Sequence, residues 1–546
     1  MMHCSRSTVV VYALAIAPLF FQGYARSSEP TPKSLQLQKI GGFEHKTADN
    51  KPALAEIPSY DRLTRRLFIV TGTTDSVDVL DIADPTKPRL LNSIASSSIG
   101  AGLGSINSAD IHNGIVALAI EGVPRSTNGA VAFLRATDFR VIGKVTVGAN
   151  PDMLKFTPDG RYLLVANEGE ASEQGVTPMI NPEGSVSIIM LPTLSPTMAA
   201  INPTVDTANF RAYNNQAAAL RAAGVRLFGP NAATVAEDLE PEYITVSSDS
   251  KTAYVTLQEN NAIAILDIAS RKFTAIKPLG FKDHSKAGNG FDASDRDKKV
   301  NIQPWPVKGI YMPDEIASFS VGNATYLITA NEGDSREAFH KEEARVGSHC
   351  KATDPVFGGD ASLHGDDKLG RLIVTTLPNG GVTGKDAEGR CTDLYSFGAR
   401  SFSIWDANIN LVWDSGSQLE EITAAESAKP DAQFKFNATN SNNTEESRSP
   451  AKGPEPEGVA VGKFGEKTFA FIGLERVGGV IVYDVTTPSA PSFVTYLNTR
   501  NGDKGDNGPE GLRLIPAADS PNGKPLLIVA NETSGTTGII QINLAY

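Results

Sequence analysis

Six carboxylates recur at matching places in the chain: Glu56, Asp152, Glu242, Asp314, Glu457 and Glu510. Each opens a run of alternating apolar residues, and Asp152, Glu242, Asp314, Glu457 and Glu510 follow a proline. Carboxylates gathered at one opening repel one another, so such a set calls for protons, hydrogen-bond donors or a cation. Hard divalent ions bind through oxygen ligands of this kind, which makes Ca²⁺ the first cofactor to expect and divalent cations the first partners. The same acids can instead cap their own turns by accepting backbone N–H groups. A second, denser charge cluster follows the Asp314 run, with Glu332, Asp334, Arg336, Glu337, His340, Glu342, Glu343 and Arg345 close in sequence. Glu332, Asp334, Arg336, Arg345 and the distant Arg400 are the candidates for chemistry on a phosphoester, because metal-assisted transfer needs a metal and an oxyanion held side by side. The alternative for that stretch is a solvated charged loop. No Gly-x-Ser-x-Gly elbow, P-loop or dinucleotide fingerprint is found in the sequence.

The elements that must position these acids repeat about every 40–50 residues where no insertion intervenes. A copy holds three or four short strands rich in Val, Ile, Tyr, Phe and Thr, with turns such as Pro158-Asp159-Gly160. A seventh copy carries Ser108 where an acid is expected. Long helical patterns are missing. This predicts an all-β fold, a single β-propeller with seven four-stranded blades over 35–546. The last copy supplies only three strands, so the alternating stretch 35–43 is expected to close it and remove the exposed edges. Long insertions at 193–239, 281–311, 333–398 and 417–454 fall in loops on the same end as the acids. Within them, 209–228 has helical spacing, 369–377 reads as an extra strand, and 437–452 is polar enough to be mobile, with a glycosylation sequon at Asn437.

Residues 1–25 read as a signal peptide, with Arg6, a short apolar run and small residues before the cleavage point, followed by a polar leader at 26–34. A secreted or periplasmic protein without a transmembrane anchor is expected. The formal net charge of −12 argues against nucleic acid as a partner. Of three cysteines, Cys4 lies in the signal, which leaves Cys350 and Cys391 to form a disulfide in an oxidising compartment. Nothing in the sequence calls for an oligomer, so a monomer is expected.

The stretches ANEGDSRE, GFDASDRDKKVNIQPWPVKG, CTDLYSFGARSFSIWDANINLVWDSG and KGPEPEGVAVG resemble the choice-of-anchor I family of secreted or surface β-propellers. That family includes mesenchyme-specific cell-surface glycoproteins and bacterial members labelled alkaline-phosphatase-like. The resemblance implies an extracytoplasmic propeller with Ca²⁺ affinity. The Pro-Glu-Gly elements at 456–458 and 509–511 are also similar to those of phytase-like propellers, whose axial carboxylates hold Ca²⁺ that binds phosphate. Two readings follow. One is a cation-binding module recognising a ligand, a polyanion or a cell-surface component. The other is a metal-dependent phosphohydrolase of alkaline-phosphatase- or phytase-like type.

Overall fold

The computed structural model describes residues 1, 30–172, 179–336 and 341–546. The expected signal peptide, Glu337 and His340 lie outside the described residues. Seven four-stranded antiparallel sheets hold most of the strands. Their first strands are Ala55–Asp61, Leu103–His112, Pro151–Phe156, Ile244–Val246, Ile316–Val321, Pro456–Phe464 and Pro509–Ile515. Each touches the first strand of the sheet on either side, and Pro509–Ile515 touches Ala55–Asp61, so the sheets close into a β-propeller.

The strands read as nearly continuous apolar runs because both faces of each sheet are covered. In Arg66–Thr71, Phe68 and Val70 pack against the next sheet, while Leu67 and Ile69 pack against the last. Successive side chains on a strand point to opposite faces, so one strand serves two interfaces. The N-terminal strand Ser34–Glu44 completes the last sheet, pairing antiparallel with Thr536–Ala545. Its Leu35 and Leu37 pack on one neighbouring sheet, and Ile40 and Phe43 on the other.

The insertions build a cover with its own core, formed by Phe291, Trp305, Val346, Phe357 and Leu372 beside the disulfide Cys350–Cys391. The helical spacing near 209–228 becomes the 3-10 turn Arg211–Gln216 and the helix Ala217–Ala223, and the extra strand is Ile373–Thr375. The polar segment 437–452 is not loose. Asn437, Ser449 and Glu446 are buried, and Arg400 donates to the carbonyls of Ser449 at 2.6 Å and Ala451 at 2.8 Å. A buried guanidinium needs acceptors, and backbone carbonyls supply them where the side chains look featureless. Asn437 spends its amide on Glu420 and Ser449, so in the folded chain the sequon is closed off.

Removing residues 34–44 exposes the whole edge of Thr536–Ala545, and unpaired edges template association. The truncated protein is expected to elute as aggregates in size-exclusion chromatography, where the chain with this strand elutes as one discrete species.

Candidate cation site on the propeller axis

The recurring acids owe their position to an irregularity at the start of the first strands. Between Ala55 and Pro58, Pro151 and Met153, Pro456 and Val459, and Pro509 and Leu512, the register to the second strand slips by one residue. A bulge of this kind bends the strand and re-aims a side chain. Glu56, Asp152, Glu457 and Glu510 sit in these bulges. Glu242 and Asp314 donate their N–H groups to Thr256 and Ala330 in the equivalent place, just ahead of their strands. In the second sheet the register slips between Ile106 and Ser108, so Asn107, not Ser108, takes the bulge position. The glycine of each Pro-Glu-Gly element has a steric reason. A Cβ on Gly458 would lie 2.0 Å from the carbonyl oxygen of Glu510, and one on Gly511 would lie 2.4 Å from that of Glu56.

The acids converge. A cavity of about 200 Å³ on the axis is lined by Glu56, Asn107, Asp152, Asp314 and Glu510, with Glu121 and Arg125 beside them. The larger hollow of about 780 Å³, lined by Lys39, His45, Lys504 and Asp506 among others, contains none of the six acids. One carboxylate oxygen each from Asp314, Glu332 and Glu457 lies within 4.8 Å of the other two. Oε2 atoms of Glu242, Glu457 and Glu510 are buried without a hydrogen-bond partner. The turn-cap reading therefore does not account for these oxygens.

The charge is only partly offset. Burial, then Glu532 and Asp152, push Glu56 up to about 8. Burial raises Asp152 to about 6 although Arg125 opposes it. Burial holds Glu457 well above the carboxylate range, aided by Glu475 and Glu510, and Glu510 likewise, aided by Glu56 and Glu532. Glu242 and Asp314 are raised in the same way, by burial and then by neighbouring acids. Two unit charges 4 Å apart interact by about 4 kcal/mol in an environment of intermediate polarity, so this many anions cannot stand together unaided. An all-oxygen donor set with unpartnered buried oxygens fits a hard divalent cation.

The cations that do reach this end were not singled out from the sequence. Lys452 binds Glu332 at 2.8 Å and Glu455 at 3.2 Å. Burial works against ionising Glu455, but Lys452, Arg448 and Arg476 hold it down to about 2. Arg125 borders Glu121, Glu168 and Glu170, the last at 2.7 Å. Their only sequence signal was charge next to a repeat acid. Of the residues read as candidates for phosphoester chemistry, only Glu332 joins the axial group. Asp334 lies at its edge, 3.7 Å from Lys452. Arg336 is buried against Asp238 at 2.7 Å and Glu240 at 2.5 Å. Arg400 is buried against Glu420 at 2.7 Å, and Arg345 bonds the carbonyl of Arg371. Arg336, Arg345 and Arg400 thus serve the insertions.

A family model described as choice-of-anchor I domain matches residues 56–488. Gigasin-3a of Magallana gigas is 30% identical over 195 residues, which cover 33% of this chain and 67% of that protein. A mesenchyme-specific cell surface glycoprotein of Strongylocentrotus purpuratus is 27% identical over 245 residues, 38% of this chain. The match spans only 30% of that relative's length. Among solved structures, hydrazine synthase of Kuenenia stuttgartiensis aligns with a TM-score of 0.46 and 12% identity over 92% of this chain and 99% of that one. The WD40 domain of Toxoplasma gondii coronin aligns with a TM-score of 0.45 and 7% identity over 95% of this chain and 89% of that one.

Glu56 goes from an ordinary value of 4.5 to about 8 on folding. A group raised in this way contributes its stability below the lower value and loses it as pH rises through the higher one. The metal-free protein is expected to lose thermal stability between about pH 5 and pH 8, and Glu56→Gln to flatten that slope, as read by melting curves in chelator.

Proposed function

We propose that this chain, which belongs to the choice-of-anchor I domain family, binds a divalent cation, Ca²⁺ first, on its axial acids and uses that face to recognise a ligand or surface. As a choice-of-anchor protein it works at the cell surface or outside the cell, and we read the finer compartment as secreted or periplasmic. Among the described residues no helix is long and apolar enough to cross a membrane. The observation that carries the cation reading is the convergence of Asp314, Glu332 and Glu457, with the buried Oε2 of Glu457 left without a partner. Asp314 and Glu457 would hold the ion, and Lys452, 2.8 Å from Glu332, would orient that carboxylate toward it. The insertions that crowd this end add the surface a ligand would meet, and functional loops gather on such faces. A relative whose name describes a cell surface glycoprotein supports a recognition role at a surface.

A second reading is a metal-dependent phosphohydrolase of alkaline-phosphatase- or phytase-like type. Arg125 favours it, because its half-exposed guanidinium borders the acid-lined cavity, where an oxyanion would approach a bound cation. The cation would supply Lewis-acid polarisation of the phosphoryl group, and Arg125 would orient its oxygens.

Isothermal titration of chelator-stripped protein is expected to show Ca²⁺ binding that Glu457→Gln and Asp314→Asn each weaken by roughly tenfold or more, equal to about 1.4 kcal/mol. Both variants should melt no lower than the parent in chelator, because each removes repulsion. Unchanged binding in both would remove the axial reading. Phosphate release from an aryl phosphate or phytate with Ca²⁺ present, lost in Arg125→Met, would establish the second reading, and no release anywhere between about pH 5 and about pH 9 would end it.

A further inference from the structure

A second group of carboxylates lies off the axis, where two insertions meet. Asp292 and Asp297 belong to the 281–311 insertion and Glu446 to the 417–454 insertion. One oxygen from each lies within 4.8 Å of the other two. Asp292 is fully buried and Glu446 is 5% exposed. Each residue has one buried oxygen with no hydrogen-bond partner: Oδ2 of Asp292, Oδ1 of Asp297 and Oε1 of Glu446. The second oxygens of the two aspartates make local bonds only. Oδ1 of Asp292 accepts the N–H of Ser294 at 3.3 Å, and Oδ2 of Asp297 accepts Nδ2 of Asn301 at 3.1 Å.

Among the described residues, no Lys or Arg forms an ion pair with Asp292, Asp297 or Glu446. Arg371 and Arg296 pair with Asp295, and Arg400 pairs with Glu420. The frame around the group is firmly tied. Glu420 accepts the N–H of Asp292 at 2.7 Å, Nη1 of Arg400 at 2.7 Å and Nδ2 of Asn437 at 3.2 Å. Arg400 also donates to the carbonyls of Asp292 at 2.9 Å and Ser449 at 2.6 Å. One guanidinium and one carboxylate thus fix the backbone of both insertions and leave three acids facing each other. The amide oxygen of Asn437 is likewise buried and unpartnered.

From this geometry we propose that Asp292, Asp297 and Glu446 form a divalent-cation site that ties the two insertions together, separate from the axial acids. The donors are all oxygen, which selects a hard ion, and Ca²⁺ accepts irregular sets completed by water where Mg²⁺ demands a near-octahedral shell. The competing arrangement is a proton shared between Asp292 and Glu446, whose carboxyls are close enough to bond.

Terbium luminescence separates the two. The indole of Trp305 donates to the carbonyl of Phe291 at 2.8 Å, one residue from Asp292, so it can sensitise an ion held there. Full-length mature protein stripped with chelator is expected to give Tb³⁺ emission on indole excitation, displaced by Ca²⁺. Asp297→Asn should weaken that signal roughly tenfold or more, as loss of a charged ligand does, and Glu446→Gln likewise. Trp305→Phe should lower the emission while leaving Ca²⁺ stoichiometry unchanged, and Glu457→Gln on the axis should leave the emission intact. Asp297 is half-buried and the Asn replacement isosteric, so circular dichroism should show the parent fold. Emission and Ca²⁺ stoichiometry in Asp297→Asn equal to the parent would overturn the site and favour the shared proton. Loss of binding in Glu457→Gln alone would support the axis and refute this proposal, whereas loss in Asp297→Asn alone would do the reverse.

Discussion

Like charges brought to one axis must be compensated, and much of this molecule is organised by that requirement. A ring of inner strands necessarily draws the same strand position of every sheet toward one hole. When that position is a carboxylate, burial and mutual repulsion act together, and both disfavour ionisation. The bulges aim the acids inward, and the glycines beside them allow neighbouring strands to approach. Lys452 and Arg125 neutralise part of the charge from opposite directions along the chain, one from an insertion and one from a tight loop. What they leave is an oxygen-rich opening, which in the reading proposed above a metal ion would complement.

The insertions obey a related rule with a different solution. They interlock through buried ion pairs, Arg226 with Glu342 and Arg336 with Asp238 and Glu240. Such pairs are a poor source of net stability, because stripping water from both charges costs about as much as their attraction returns. Their value lies in geometry. Each guanidinium has a fixed fork of donors, so a loop that must satisfy it has few alternative conformations. In the charged stretch after Asp314, Arg336 fastens one insertion to another, while Arg345 bonds a carbonyl within its own.

The propeller was legible in the sequence because its signal repeats. Alternating apolar runs, the recurring acid and the three-strand final copy led to the ring, and Ser34–Glu44 closes it where the alternation indicated. The site was legible only as far as the repeat extends. Asn107 was missed because an irregular strand shifts the count by one, and spacing alone points to Ser108. Lys452 and Arg125 were missed because they belong to no repeat, and their partners Glu332, Glu168 and Glu170 come from remote parts of the chain. The order in 437–452 was invisible for a third reason: it depends on backbone carbonyls meeting Arg400, and carbonyls are the same in every sequence. The choice-of-anchor I match at 56–488 takes in Glu56, Asp152, Glu242, Asp314 and Glu457 but ends before Glu510.

Because Ser34 lies opposite Ala545, the two ends of the folded body emerge side by side at the outer margin of the same sheet. Anything joined to either end would hold the disc by its rim, like a coin gripped at its edge. Held that way, neither flat side is pressed against the support, and the acid-lined mouth stays open to molecules diffusing past.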